Sequence, residues 1–203
     1  NHSMHYRERN KMKRRTLDKI ISNVSLGFAA LLLLFAGLLN WGASFADDNV
    51  ASQLAMQNIS FPAEDSLPVA TKAALAKWAD QKVMTGEMAR DYSDLYIPEH
   101  MKASATAVMG KPATYSEVSG AYMGLVRGGS TDVEKIKQYG DLRQTLFMGN
   151  TLRGMLLEAY AFGTLGVIAG YAAIASLVGG IIFLLLGIAG LMHIRRTPED
   201  ATI

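Results

Sequence analysis

Cysteine is absent from this chain of 203 residues. Without it, the chain cannot form disulfide bonds, use thiol catalysis, ligate an iron–sulfur cluster or carry a lipid on a cysteine. Any folded part of the protein must therefore be held together by noncovalent packing alone.

Recognisable catalytic and cofactor motifs are also missing. The sequence has no HExxH metal motif, no GxSxG nucleophile elbow, no Walker A loop and no GxGxxG after a strand. Its four histidines are His2, His5, His100 and His193, and only the first two have the spacing of a metal pair. We therefore predict no enzymatic activity, no cofactor and no metal site.

One weaker metal hypothesis rests on the eleven methionines. Met84 and Met88 are one helical turn apart, and with His100 and Met101 they would offer soft ligands for copper(I). Methionine also fills irregular helical cores well, and no Met-x-x-Met cluster repeats. Packing is the stronger interpretation of these side chains.

Charged side chains are missing from two long apolar runs. No Asp, Glu, Lys or Arg occurs in residues 20–46 or in residues 159–194. About 20 apolar residues cross a bilayer core as a helix, so each run is long enough to span it. Neither run has the buried charges that mark ion or proton pathways. The sequence thus predicts an all-α membrane protein with two transmembrane helices.

The first run also has features of a signal peptide. A basic segment precedes it, and the small-residue site Ser44-Phe45-Ala46 ends it. Its apolar stretch is longer than the about 7 to 15 residues of a signal-peptide core. We interpret it as a retained signal anchor.

Basic residues next to the two runs predict the orientation. Residues 1–19 contain seven basic side chains against two acidic ones, and two arginines directly follow the second run. Since basic residues beside spans stay in the cytoplasm, segments 1–19 and 195–203 are expected inside the plasma membrane. Residues 47–158 are then extracytoplasmic.

The same basic residues would attract anionic phospholipids. The side chains nearest the spans are Arg14, Arg15, Lys19, Arg195 and Arg196. A nucleic-acid interpretation of this basic cluster is weaker, and we predict no nucleic-acid partner.

The segment 47–158 is expected to be a small α-helical domain. No part of it shows the alternation of a β-strand, whereas apolar residues recur at helical intervals between glycine, proline and capping residues. The first span is expected to continue as a helix through Asn58. Further helices are expected over 69–84, from a restart at 85–87, over 99–109, and over 114–127, where Thr114 and Glu117 form a capping box. Another helix is expected to begin with Thr131 or Asp132 as its cap. Gly149-Asn150 predicts a bend before a final helix from Thr151.

Small residues mark one face of the second span. Four of them recur every seven residues, which places them on one side of a gently supercoiled helix. This small-residue face consists of Gly166, Gly170, Ala173, Ser176, Gly180 and Gly187. Such a face lets another backbone approach closely, because helices in lipid associate by packing. It would contact the chain's own first span, a partner subunit, or both.

The second apolar run is longer than one membrane crossing. At 1.5 Å per residue its 36 residues make a helix of about 54 Å, against about 30 Å for the hydrocarbon core. Residues 159–164 are therefore expected to stand outside the bilayer, continuing the helix that precedes them. The long helix is expected over 159–194.

Segments at the borders of both spans resemble a set of actinobacterial membrane proteins. The segments that carry the resemblance are 14–19 (RRTLDK), 45–48 (FADD), 61–62 (FP), 151–160 (TLRGMLLEAY) and 193–196 (HIRR). Members of the set are sometimes labelled ring-opening dioxygenases, but this chain lacks the iron ligands for that activity. The middle of segment 47–158 has no motif that contributes to the resemblance.

The set is similar to an accessory subunit of the actinobacterial respiratory supercomplex. There, a cytochrome bcc menaquinol-oxidising complex is joined to a haem–copper cytochrome oxidase. The resemblance implies a non-catalytic association factor whose partners are the cytochrome bcc complex, the cytochrome oxidase, or both. The alternative function is an extracytoplasmic sensor or ligand-binding membrane protein.

Overall fold

The computed structural model describes residues 13–198, which form helices and turns without a β-strand. The helices are α1 (Arg14–Gln57), α2 (Lys72–Leu75), α3 (Gly86–Asp91), α4 (Ile97–Met109), α5 (Tyr115–Arg127) and α6 (Val133–Ile194). Two 3₁₀ turns, Glu64–Ser66 and Ala76–Trp78, and a π turn, Tyr92–Tyr96, lie between them. The predicted helical class is confirmed. The predicted terminal segments at 1–12 and 199–203 lie outside the described residues.

Two of the helices are far longer than the others. Helix α1 has 44 residues and helix α6 has 62 residues. Each contains a stretch long and apolar enough to cross a membrane, as the charge-free runs predict. Helix α1 also continues beyond the first run to Gln57, which confirms the expected extension.

The chain divides into two compact units. Unit 1 combines residues 1–44 with 167–203, and unit 2 comprises residues 45–166. The described part of unit 1 is a pair of helical segments, one from α1 and one from α6. Unit 2 contains all the shorter helices.

Unit 2 is built around two clusters of buried side chains. The larger one gathers apolar residues from α1, the loop after it, α2, α3, α4 and α6, and it includes Val50, Phe61, Leu75, Ile97 and Leu156. The smaller cluster consists of Ala105, Val118, Leu142 and Leu146, contributed by α4, α5 and α6. Met101 packs against both. With no cysteine available, this packing takes the place of covalent links.

Helix starts in unit 2 follow the capping residues that the sequence predicts. The Thr85 hydroxyl accepts a hydrogen bond from the Met88 amide at 3.2 Å. Thr114 and Glu117 form the full capping box of α5, with the Thr114 amide donating to the Glu117 carboxylate at 2.7 Å. Asp132 caps α6 by accepting from the Lys135 amide at 3.0 Å. These side chains satisfy amides that have no partner inside the helix.

The helix predicted over 69–84 is wrong. Only α2 and a 3₁₀ turn form there, and Val69, placed on the predicted apolar face, is 94% exposed. Asp80 adopts a left-handed backbone with φ of 59°, which ends helical geometry. Beyond it the Val83 amide donates to the Ile59 carbonyl at 2.9 Å. Pairing with a distant segment, which buries Val83, therefore prevails over local helical spacing.

The predicted start of the final helix at Thr151 is also wrong, because α6 begins at Val133 and runs through Gly149 and Asn150 without interruption. A Cβ atom at Gly149 would lie 2.5 Å from the Met101 sulfur and 3.0 Å from its Cγ. The glycine thus provides room for a methionine of α4 beside an uninterrupted helix. A glycine that serves close packing cannot be distinguished from a helix breaker by sequence spacing alone.

Candidate functional site

The helical segments of unit 1 pack side by side and run antiparallel. An ideal Cβ at Gly180 would lie 2.9 Å from the side chain of Leu33, and one at Gly187 would lie 2.7 Å from that of Leu26. As residue numbers rise along α6 they fall along α1, which is the antiparallel register. The backbone of α1 also comes close, with the Leu26 amide nitrogen 3.3 Å from the Cβ position of Gly187.

The structure places the predicted small-residue face as follows. Within unit 1, Ala173, Gly180 and Gly187 are buried, and Ser176 is half-buried. An ideal Cβ at Gly170 would lie 3.8 Å from the Cβ of Ala43. Gly166 is buried but belongs to unit 2. In unit 1 the neighbour across these glycines is thus helix α1 of the same chain.

Helix α1 also has small side chains buried in the helix pair. Ser22, Ala29 and Ala36 are buried at intervals of seven residues, and Ser22 is only 2% exposed. A Cβ at Gly190 would overlap the Ser22 hydroxyl oxygen. Sequence reasoning missed this second series. Its seven-residue spacing is the same signal that identified the first one, obscured by the bulky leucines between its members.

The remaining surface of the helix pair is apolar. Side chains of both helices point outward with about half or more of their area exposed. Examples are Ile21, Val24, Leu34, Leu38 and Trp41 on α1, and Ile168, Ile174, Val178, Ile182 and Leu185 on α6. Exposed apolar patches of this extent are rare on proteins that face water.

Basic residues gather at one end of the pair. Arg14, Lys19, Arg195 and Arg196 are exposed there. Arg15 differs, because its Nε donates to the carbonyl of Thr197 at 2.8 Å and thereby links the start of α1 to the end of α6. The predicted headgroup residues thus lie together in unit 1, and one of them also joins the two helices.

A buried carboxylate lies at the centre of a polar network in unit 2. Asp91 is 5% exposed and accepts from the Trp78 indole at 2.9 Å and from the Arg90 guanidinium at 2.8 Å. Lys77 lies 3.3 Å from the same carboxylate and 3.0 Å from Glu87. Every acceptor position of Asp91 therefore faces a donor.

These contacts shift the acid–base properties of the group. Burial raises the pKa of Asp91, but hydrogen bonds from Trp78, Arg90 and Lys77 lower it more, so the pKa lies below its ordinary value. The hydrogen bond to Glu87 raises the pKa of Lys77. A charged and fully paired Asp91 holds α3 to the 3₁₀ turn that contains Trp78, which is a structural role.

Aromatic rings extend from this network along the π turn. The Phe61 ring centroid lies 5.1 Å from that of Tyr92, Tyr92 lies 4.7 Å from Tyr96, and Tyr96 lies 6.3 Å from His100. Burial raises the pKa of Tyr92 to about 12, so the phenol stays protonated. Phe61, Tyr92 and Tyr96 belong to or pack against the larger cluster, whereas His100 at the end of the row is exposed.

Two of the three methionines of the copper hypothesis, Met88 and Met101, take part in packing. Met88 is buried in the larger cluster, and Met101 fills the space beside Gly149. His100 stacks on Tyr96. Among residues 13–198, no group of three or more His, Cys, Asp or Glu side chains is placed to hold a metal ion.

Two glycines of unit 2 bring α3 and α6 into close approach. A Cβ at Gly86 would lie 3.2 Å from the Cα of Tyr160 and 3.3 Å from the carbonyl oxygen of Ala159. A Cβ at Gly163 would lie 3.5 Å from the Cα of Gly86. The sequence marks Gly86 only as part of a helix start, and nothing in its local pattern indicates the distant partner.

The arrangement as a whole offers surfaces and packing faces: an apolar exterior and a basic end in unit 1, and a satisfied polar network in unit 2. The polar groups of that network are paired with one another.

No protein-family model, no curated protein and no solved structure matches the chain.

Proposed function

We propose that this protein is a non-catalytic accessory subunit of a membrane complex, inserted by α1 and α6. The observation that carries this proposal is the apolar exterior of the helix pair in unit 1. Such a surface is stable in lipid or against other apolar helices, and it is unfavourable in water. The apolar length of both helices agrees with it.

The proposed orientation follows from the basic end of unit 1. Arg14, Lys19, Arg195 and Arg196 would lie at the cytoplasmic surface of the plasma membrane, where anionic phospholipids attract them. Residues 47–158 would then form an extracytoplasmic helical domain. This segment is too long for its own charges to decide the orientation, which rests on the basic residues beside the two spans.

The proposed partners are the cytochrome bcc complex and the cytochrome oxidase of an actinobacterial respiratory supercomplex. Their support is the resemblance of the span borders, together with an exterior suited to helix contacts. Gly180 and Gly187 already face α1, so partner helices would contact the outward side chains such as Leu34 and Ile182. In this proposal the small-residue face packs on the chain's own helix α1, and the partner contacts a different surface.

Purification tests the proposal. The full chain with an affinity tag after Ile203 is expressed in an actinobacterial host, extracted in mild detergent and examined by haem spectroscopy and mass spectrometry. We expect b-, c- and a-type haem bands, which an untagged strain processed in the same way should lack. A pure preparation without these bands would contradict the assignment to the supercomplex, whereas recovery outside the membrane fraction would contradict insertion itself.

Outward and inward substitutions then locate the contact. Leu34→Ala and Ile182→Ala alter the exterior, whereas Gly187→Leu disturbs the contact between α1 and α6. Loss of haem bands from an outward variant with unchanged helix content would assign the partner contact to that face. Unchanged bands in both outward variants would place it elsewhere.

A further inference from the structure

The end of α6 in unit 1 carries a cleft that combines apolar and basic residues. Its volume is about 250 Å³, and the described residues that line it are Ala189, Met192, His193 and Arg196. Ala189, Met192 and His193 lie on one face of the last turns of α6, and Arg196 lies in the turn that follows its last residue, Ile194. The apolar pair lies toward the middle of the helix and the basic pair toward its end.

The backbone on both sides of Arg196 is held in place. The Arg196 amide donates to the His193 carbonyl at 2.9 Å, and the Thr197 hydroxyl donates to the same carbonyl at 3.1 Å. The Thr197 carbonyl in turn accepts from Arg15 at 2.8 Å. The guanidinium of Arg196 is therefore presented from a fixed turn, while its side chain is exposed.

The basic half of the cleft is open to an anion. Within residues 13–198, no carboxylate lies within ion-pair distance of His193 or Arg196. The carbonyl end of a helix weakly repels anions, so the attraction must come from the two side chains. A guanidinium suits phosphate oxygens because its N–H groups form a planar fork.

We propose that this cleft binds one anionic phospholipid. Its phosphate lies between His193 and Arg196, and the first part of an acyl chain lies along Ala189 and Met192. The inference rests on the proposed membrane insertion, which places the end of α6 at the headgroup level. A free phosphate would fill only the basic half, whereas a phospholipid matches both halves.

Two adjacent arginines provide a matched test. Arg195 and Arg196 are both exposed and carry the same charge, but only Arg196 lines the cleft. Full-length protein and the variants Arg196→Gln and Arg195→Gln are purified in detergent, and bound lipid is counted by native mass spectrometry after addition of phosphatidylglycerol or phosphatidylcholine. Circular dichroism checks that each variant keeps its helix content.

We expect Arg196→Gln to weaken phosphatidylglycerol binding about fivefold, with Arg195→Gln close to the parent protein. Arg196→Lys, which keeps the charge, should lose less than Arg196→Gln. Equal losses in the two glutamine variants would overturn the inference, since they indicate diffuse attraction. Equal binding of phosphatidylcholine by the parent protein would overturn it as well.

A third variant separates lipid from free phosphate. Ala189→Trp fills the apolar half of the cleft and should weaken phosphatidylglycerol binding, while competition by inorganic phosphate at Arg196 should remain. Unchanged phosphatidylglycerol binding in this variant would overturn the inference, because the apolar half of the cleft would then contribute nothing to lipid binding. The failures of the two proposals are distinguishable, because a protein that inserts into membranes but fails these tests disproves only the lipid site.

Discussion

The buried polar side chains of unit 2 depend on their hydrogen-bond partners for stability. Asp91 is the extreme case, since a nearly buried carboxylate is stable only while its donors remain in place. Trp78, Arg90 and Lys77 supply those donors from a turn and from α3. The network therefore couples the stability of unit 2 to the charge of a single residue.

We predict that Asp91→Asn destabilises unit 2 by about 1–3 kcal/mol, because the amide weakens the bonds from Arg90 and Trp78 and removes their charge assistance. Urea unfolding in detergent, followed by Trp78 fluorescence in a Trp41→Phe background, measures the change. Glu99→Gln is the control, because its carboxylate makes only a local bond to Lys102. A loss as small as that of the control would mean that the network contributes little.

The lowered pKa of Asp91 predicts acid sensitivity. A carboxyl group whose folded pKa lies below its unfolded pKa stabilises the protein above the ordinary value near 3.8, and this contribution disappears as pH falls through the folded pKa. We expect the unfolding free energy of the parent protein to fall more steeply below pH 4 than that of Asp91→Asn. Parallel pH profiles would contradict this.

At the scale of elements, glycines decide how closely helices approach. In unit 1 they let the backbones of α1 and α6 come together, and in unit 2 Gly86 does the same at the start of α3. The same residue type elsewhere in these helices faces open space, as at Gly37 and Gly154. These open glycines provide controls with the same chemistry.

We predict that Gly187→Leu loosens the helix pair by about 1–3 kcal/mol, because the new side chain would overlap Leu26 of α1. Gly37→Leu, with nothing within 4 Å, should change stability little. Thermal unfolding in lipid nanodiscs, monitored by circular dichroism, compares the two. Equal melting temperatures would mean that the pair does not pack through this face.

Gly86→Ala is expected to destabilise unit 2 by about 1–2 kcal/mol, since the new methyl group meets the backbone of Tyr160 and Ala159, which cannot rotate away. Gly154→Ala should instead stabilise the protein by about 0.5–1 kcal/mol, because alanine favours the helix and meets no neighbour. Urea unfolding measures both changes. Stabilisation by both substitutions would argue against the close approach.

For the whole molecule, the absence of cysteine makes orientation measurable with single introduced thiols. We predict that Val69→Cys reacts with a membrane-impermeant maleimide on intact cells, because that side chain is 94% exposed in the segment assigned to the outside. Pro198→Cys should react only after permeabilisation. The reverse pattern would invert the proposed orientation, and labelling of both on intact cells would contradict two membrane crossings.

Periodicity and capping explain which parts of the fold the sequence could predict. The charge-free runs specify both long helices, and Thr85, Thr114 and Asp132 specify helix starts, since these signals act within a few residues. The segment 69–84 could not be predicted, because hydrogen bonds with the distant residues 59–62 determine its conformation. The same limit applies to Gly149, because the side chain that requires a glycine there is Met101, about 48 positions away in the sequence.

The candidate site was accessible to sequence reasoning only in part. Seven-residue spacing identifies the small-residue face, but the same pattern would suit the chain's own first span or a foreign helix. The series from Ser22 to Ala36 supplies the complementary signal on α1. The Asp91 network could not be expected, because nothing local indicates that Trp78 and Arg90 meet on one carboxylate.

The π turn at Tyr92–Tyr96 has a consequence for insertions and deletions. A π turn holds more residues than an α-helical turn, so the chain could lose one residue there and continue as a regular helix. Such a deletion would leave α4 in nearly its present orientation, whereas α-helical geometry without a deletion would rotate α4 by about 100° and move Met101 away from Gly149 and Ala105 out of its cluster. The π turn thus accommodates one extra residue while preserving the alignment of everything that α4 contacts, and a related chain one residue shorter here should have a regular α-helical turn instead.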